Sequence, residues 1–177
     1  PLAPSFDAFG WFARDAETYE QVGRIFFGDG PQAQRLRLLR LAALDDLILP
    51  EAATEYARMI ATAESVLGAS REATPLTRSL DDLYWTFRKL QAHEAWQVHG
   101  PFISAKDRHL GPGVRERFEF GRAVTADEVK QGAAIRAAFR AEFAEMLGDD
   151  GMLVLPTVPG AAPLKAATFD DQQAYRE

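Results

Sequence analysis

Apolar residues recur at helical spacing in several stretches of the chain, and short unbroken apolar runs lie between them. Tyr19, Val22 and Phe26 share one face of a helix predicted over about 16–27. Asp15 can cap it, and Gly28-Asp-Gly-Pro31 can end it in a turn. Tyr56, Met59, Ile60, Ala63 and Leu67 form the stripe of a second helix over about 51–67, opened by Pro50 and Glu51 and stopped by Gly68. Ser79 and Asp82 read as a capping box for a third, over about 80–98. Leu83, Phe87, Leu90 and Trp96 are its packing positions, and Gly100-Pro101 is expected to break it. After a glycine–proline loop from His109 to Gly113 comes a short helix, about 114–121. Thr125 and Glu128 form a better capping box and start a long helix to about Leu147. Ile135, Phe139, Phe143 and Met146 lie on one of its faces.

The strand signals are shorter. Leu36, Leu38 and Leu44 suit a strand, although Arg37 and Arg40 interrupt the run and two alanines favour helix; the reading is a core strand near 36–42. Residues 71–77 suit a short strand, and Met152–Leu155 is short enough for one buried on both faces. Helices alternating with a few short apolar strands make the class α/β, as part of a mixed-sheet domain. Two or three strands make a poor sheet alone, and parallel strands need neighbours. Residues 1–177 are therefore expected to be a partial domain, without internal repeat, low-complexity tract or linker.

Composition narrows this by exclusion. Apolar residues are 47% and charged residues 26%, which is globular composition. A net charge of −6 argues against a nucleic-acid partner. There is no cysteine, hence no disulfide, thiolate metal site or cysteine nucleophile in these residues. The three histidines, His93, His99 and His109, are too scattered for a metal site. No apolar run approaches the ~20 residues of a membrane-spanning helix, and no signal peptide is visible, so no membrane partner is expected and a cytoplasmic protein is the default. The chain begins with Pro1 rather than Met, and an N-terminal part is expected upstream.

Four segments carry a resemblance. They are Pro1-Leu-Ala-Pro-Ser-Phe-Asp7 with Gly10 and Ala13-Arg14-Asp15; Glu94-Ala95 within the Trp85–Trp96 helix; Leu110-Gly-Pro-Gly-Val-Arg-Glu-Arg117 with Gly121; and Leu155-Pro-Thr-Val-Pro-Gly-Ala-Ala-Pro163. In order and spacing they resemble the amidase signature family of serine amidohydrolases. The resemblance implies hydrolysis of a carbon–nitrogen amide bond by a serine, with a second serine on a cis peptide bond relaying the proton to a lysine. It implies no metal and no organic cofactor. Serine is a weak nucleophile until a base takes its proton, and the tetrahedral oxyanion needs preorganised donors. None of that constellation is found here. Ser5, Ser65, Ser70, Ser79 and Ser104 lack the family's glycine–serine context, and Lys89, Lys106, Lys130 and Lys165 do not match its lysine. The catalytic part is expected upstream of Pro1 and a last wall of the pocket beyond Glu177, so that this segment supplies scaffold and part of the substrate pocket.

The resemblance also implies site residues. Arg117 matches an arginine that holds a substrate carboxylate in tRNA-dependent amidotransferase A subunits; a guanidinium suits that task. Its alternative is an ordinary surface arginine, and Arg115 replaces it if the register differs. Pro156 and Thr157 sit at a strand end, where α/β sheets place ligands. They line a pocket or simply end the strand. Asp7 either orders a nucleophile loop or is an Asx-turn residue. His93 and His99 read as structural, Tyr84, Trp85 and Trp96 as core or pocket wall, and Asp149-Asp150 and Asp170-Asp171 as solvated turn charges. The partners implied are a small-molecule amide and the rest of a parent chain, with a homodimer left open. Two other readings stay open: the A subunit of a tRNA-dependent amidotransferase, against which Glu94-Ala95-Trp96 with His99-Gly100 looks more like stand-alone amidases, and a non-catalytic binding or structural module.

Overall fold

The structure, a computed structural model, describes residues 1–29, 36–111 and 113–176. Gly30 and Pro31 of the first predicted turn, Pro112 and Glu177 lie outside the described residues. The chain groups into two compact units, Pro1–Ala33 with Thr86–Ala133, and Gln34–Trp85 with Ala134–Glu177.

The second unit holds the sheet. Strands β1 (Arg37–Arg40), β2 (Arg71–Glu72) and β3 (Gly151–Leu153) are ordered β2-β1-β3, and both pairings are parallel. The register sets Leu39 opposite Arg71 on one side and Leu153 on the other. Being central, β1 is buried on both faces: Leu38 and Leu39 are 2% and 4% exposed. Leu39, Leu41 and Ala73 form the core, with Leu44, Leu76, Met146, Leu147 and Leu153 packed against it. The two arginines that break the apolar run both have partners. The Arg37 guanidinium donates to Asp150 Oδ1 at 2.7 Å and to the Leu147 carbonyl at 2.9 Å, where helix α6 (Ala126–Leu147) ends. There it meets the negative end of the helix dipole. Arg40 pairs with Asp45 at 2.7 Å, on the one-turn helix α2 (Ala42–Asp45). Helix α3 (Ala53–Leu67) follows; of its predicted stripe only Ile60 is fully buried, and Gly68 ends it at φ 91°.

The first unit is helical. Helix α1 (Ala16–Phe27) begins where the Asp15 carboxylate accepts the Thr18 N–H at 2.8 Å, and it ends at Gly28 with φ 72°. Rings of Phe9, Trp11, Tyr19, Phe26 and Phe27 gather on it, with Trp11 stacked on Tyr19 at 4.8 Å. Helix α4 (Leu80–Ser104) lends this unit its residues from 86 onwards and α6 lends Ala126–Ala133; α5 (Val114–Ala123) lies wholly within it. Thr125 and Glu128 cap α6 reciprocally, as expected of a capping box. Lys89 Nζ reaches the same Glu128 at 2.8 Å. Glycines allow the closest approaches. A Cβ on Gly121 would lie 2.0 Å from the Ala92 carbonyl oxygen, so α4 and α5 touch backbone to backbone. A Cβ on Gly132 would lie 3.1 Å from the buried Leu90 side chain.

Two expectations are corrected. The third helix does not break at Gly100-Pro101 but runs on to Ser104. The proline removes one ladder bond without ending the helix, and the Trp96 ring lies against buried Gly100, closer than a Cβ would allow. The strand expected over 71–77 shrinks to Arg71–Glu72, because β1 itself ends at Arg40. Finally, α2 and α7 (Phe169–Arg176) have no counterpart in the apolar periodicity.

Candidate functional site

Two clefts hold the residues of interest, one in each unit. The larger, about 980 Å³, opens where the chain leaves β3. Val154 still donates to the Leu39 carbonyl at 3.0 Å, after which the segment from Pro156 to Pro163 departs from the sheet. Prolines at 156, 159 and 163 have no N–H to offer a neighbouring strand, so the segment cannot continue the ladder. Two bonds fix it instead. The Leu49 N–H donates to the Pro159 carbonyl at 2.8 Å, and the Tyr175 hydroxyl of α7 donates to the Gly160 carbonyl at 2.8 Å. Gly160 is required there, since a Cβ would meet Leu49 Cδ1 at 3.0 Å and Glu51 Oε1 at 3.2 Å. Thr168 and Asp171 cap α7 reciprocally, and the two Thr168 donors hold the Asp171 carboxyl below its ordinary value. Pro156 and Thr157, the strand-end residues, both line this cleft, with Pro156 half-buried and Thr157 exposed.

The smaller cleft, about 500 Å³, lies between the end of α4, the loop after it and α5. Trp96, Ile103, Leu110 and Phe118 supply apolar wall; Lys106, Arg115, Arg122, Asp107 and Glu119 supply charge. Asp107 organises the loop. It accepts the His109 N–H at 3.0 Å and an Arg115 N–H at 3.1 Å, and these bonds, the backbone one foremost, hold its carboxyl below the ordinary value. His109 adopts φ 49° to make that turn. The Arg122 guanidinium sits 5.6 Å from the Trp96 ring centroid. Arg117 is exposed on α5 and is not among the lining residues, whereas Arg115 is.

The opening segment is tied down by two residues of α4. The Glu94 carboxylate accepts the Ser5 N–H at 2.8 Å and also its hydroxyl. His99 Nε2 lies 3.2 Å from the Pro1 carbonyl, and its ring meets Phe118 edge-on. Asp7 accepts the Leu2 N–H at 2.8 Å, closing a local turn. The clamp by Glu94 was not anticipated. Its only trace in the sequence is a carboxylate beside Ala95, on a helix face that turns out to be buried. Among the described residues no cluster of three or more His, Asp or Glu side chains could hold a metal ion.

No family profile matches the chain. It is 27% identical over 214 residues to Amidase 1 of Arabidopsis thaliana, covering 99% of this chain and 49% of that protein. It is 25% identical over 203 residues to Outer envelope protein 64, chloroplastic, of the same plant, covering 98% of this chain and 34% of that one. The chain thus spans about half the length of the first relative and a third of the second. The expected cytoplasmic placement is corrected by this second relative, which is named for the chloroplast outer envelope. A crystal structure of an amidase superposes with a TM-score of 0.78 at 22% identity, over 94% of this chain and 39% of that one, which establishes the fold. Similarity to an amidase along almost the whole chain, and an amidase fold in its small parallel sheet and helices, agree with the resemblance carried by the four sequence segments.

Proposed function

We propose that these 177 residues are the scaffold and part of the substrate pocket of an amidase that hydrolyses the carbon–nitrogen bond of a small-molecule amide. The observation that carries this is the similarity to Amidase 1 over 99% of the chain. In this reading Pro156 and Thr157 border the substrate, Arg117 is a separate candidate for holding a carboxylate, and the nucleophilic serine and its lysine come from the remainder of a parent polypeptide. The surface supports such a remainder. The chain exposes 13,150 Å². A compact monomer of 19.6 kDa exposes about 8,600 Å², and two compact halves about 10,300 Å². Exposed Phe9, Phe12, Ile25, Phe26 and Phe27 are the apolar surface the remainder would cover.

The test is ammonia release from a panel of aryl and alkyl amides, by this chain alone and by the complete parent polypeptide. The parent is expected to release ammonia and the chain alone to release none. A parent inactive on every amide, or lacking a glycine- and serine-rich stretch with a lysine further upstream, overturns the proposal. A second reading has one observation in its favour. The relative named Outer envelope protein 64 is named for a location and not for an enzyme, which suits a non-catalytic binding module. A parent that binds amides without hydrolysing them would favour it. No observation favours the amidotransferase subunit.

A further inference from the structure

We infer that the cleft beyond β3 binds a ligand with an apolar body and a neutral or positively charged nitrogen head, and selects against anions. Identifying that ligand with the substrate rests on the amidase reading; the binding preference does not. Its volume of about 980 Å³ is at the upper end of ordinary small-molecule sites. Most of the wall is apolar: leucines 44, 47, 49 and 164, Val158, and the prolines and alanines of the loop. Among the described residues, the charged ones lining it are Glu51 and Asp171, and no described lysine or arginine lines it. Lys165 follows Leu164 in the chain but is not part of the lining, and Arg117 belongs to the other unit.

The remaining polar atoms point the same way. Tyr175 spends its proton on the Gly160 carbonyl, so it does not offer that hydrogen to an anion. Asp171 is fixed in place by both Thr168 donors and stays ionised. Among the described residues Glu51 has no hydrogen-bond or ion-pair partner, and its Oε1 faces Gly160, where the missing Cβ leaves room. A ligand carboxylate would lose water here, meet two carboxylates, and find the Thr157 hydroxyl as the lining donor. An amine or amide N–H would find acceptors. The loop is already braced from Leu49 and from Tyr175, so little ordering is needed on binding.

Three probes of matched shape test this: phenethylamine, 3-phenylpropionamide and 3-phenylpropionate. Each is titrated into the chain at low ionic strength and followed by backbone amide chemical shifts. The amine is expected to bind about tenfold or more tighter than the carboxylate, with the amide between them. The shifts should centre on Leu47, Leu49, Ala161, Ala162 and Leu164. Glu51→Gln should reduce the advantage of the amine several-fold and leave the amide unchanged. Leu164→Ala, at an exposed position that the fold tolerates, should weaken all three. Equal affinity for amine and carboxylate, shifts centred elsewhere, or no response of these amides at millimolar probe would overturn the inference. The same titration on the parent polypeptide repeats the test where the isolated chain does not hold its fold. Amide hydrolysis by the parent without this charge order removes the present inference alone. The charge order without hydrolysis removes the amidase reading alone.

Discussion

Gly121→Ala is the sharpest test of how α4 and α5 meet. The added Cβ would lie 2.0 Å from the Ala92 oxygen and 2.6 Å from its carbonyl carbon. An ordinary C···O contact is about 3.3 Å or more. The helices must therefore part by more than about 1 Å, because a backbone carbonyl cannot swing aside as a side-chain tip can. Overpacking of this kind costs about 1–3 kcal/mol and occasionally more. Alanine in place of helical glycine returns about 1 kcal/mol of intrinsic propensity. With the clash at the severe end, a net loss of about 2 kcal/mol is expected, or roughly 4–8 °C in Tm for a chain of this size. Gly23→Ala is the internal control. Its Cβ would sit at an ordinary 3.5 Å from the Trp11 ring, within α1. It should gain up to about 1 kcal/mol. Urea denaturation followed by circular dichroism reads both. If Gly121→Ala stabilises the chain as Gly23→Ala does, the helices do not touch as described and the argument fails.

Three further outcomes follow from named groups. The Lys89 ammonium first, and then the Thr125 donors, depress the Glu128 carboxyl to about 2. A depressed carboxyl contributes stability that is present above its unfolded value near 4.5 and is lost as pH falls toward about 2. Acid unfolding between those limits should therefore be shallower in Glu128→Gln, and equal slopes in the two proteins would contradict the ion pair. Burial first, and then the Asp45 carboxylate that accepts its proton at 2.5 Å, push the Tyr56 phenol up to about 12. Its contribution is present below an unfolded value near 10 and is lost as pH rises through about 12. Absorbance at 295 nm should show one of the four tyrosines ionising last, and Tyr56→Phe should abolish that phase; a phase that survives the substitution refutes the assignment. In the parent enzyme, Arg117→Ala should raise KM for an acidic amide, and an unchanged kcat/KM would remove Arg117 from the site.

What could be read from the sequence was whatever local chemistry decides. Asp15 caps α1 and Thr125–Glu128 caps α6 because each cap bonds only three residues away. The strand β1 was harder, since what reconciles Arg37 with a core strand is Asp150, 113 residues on. The persistence of α4 past Pro101 was not legible either, since one proline costs a single ladder bond and need not end a 25-residue helix. Arg117 and Arg115 show the limit most clearly. Two residues on a helix differ by about 200° in direction, so they face nearly opposite ways. Resemblance can nominate Arg117, but which face of α5 lines the cleft is decided by tertiary packing, and the lining residues of that helix are Arg115, Phe118, Glu119 and Arg122.

The segment after β3 shows why the larger cleft lies where it does. Strand β3 is half-buried and pairs with β1 alone among the described strands, and its pairing ends where Val154 reaches the Leu39 carbonyl. From Pro156 onward the prolines withhold donors, and β1 has itself ended at Arg40, with the Leu41 carbonyl already accepting from Leu44 and Asp45. The chain therefore has to leave the sheet, and its free carbonyls need donors from elsewhere. Leu49 and Tyr175 provide them, from the segment before α3 and from α7. Leu49 and Tyr175 both line the cleft, together with the departing loop they hold. Restoring donors at positions 156 and 159 should therefore not lengthen the strand, because β1 offers no further free carbonyl beside it. Pro156→Val with Pro159→Val is expected to leave strand content in circular dichroism unchanged, and a gain in strand would break the argument.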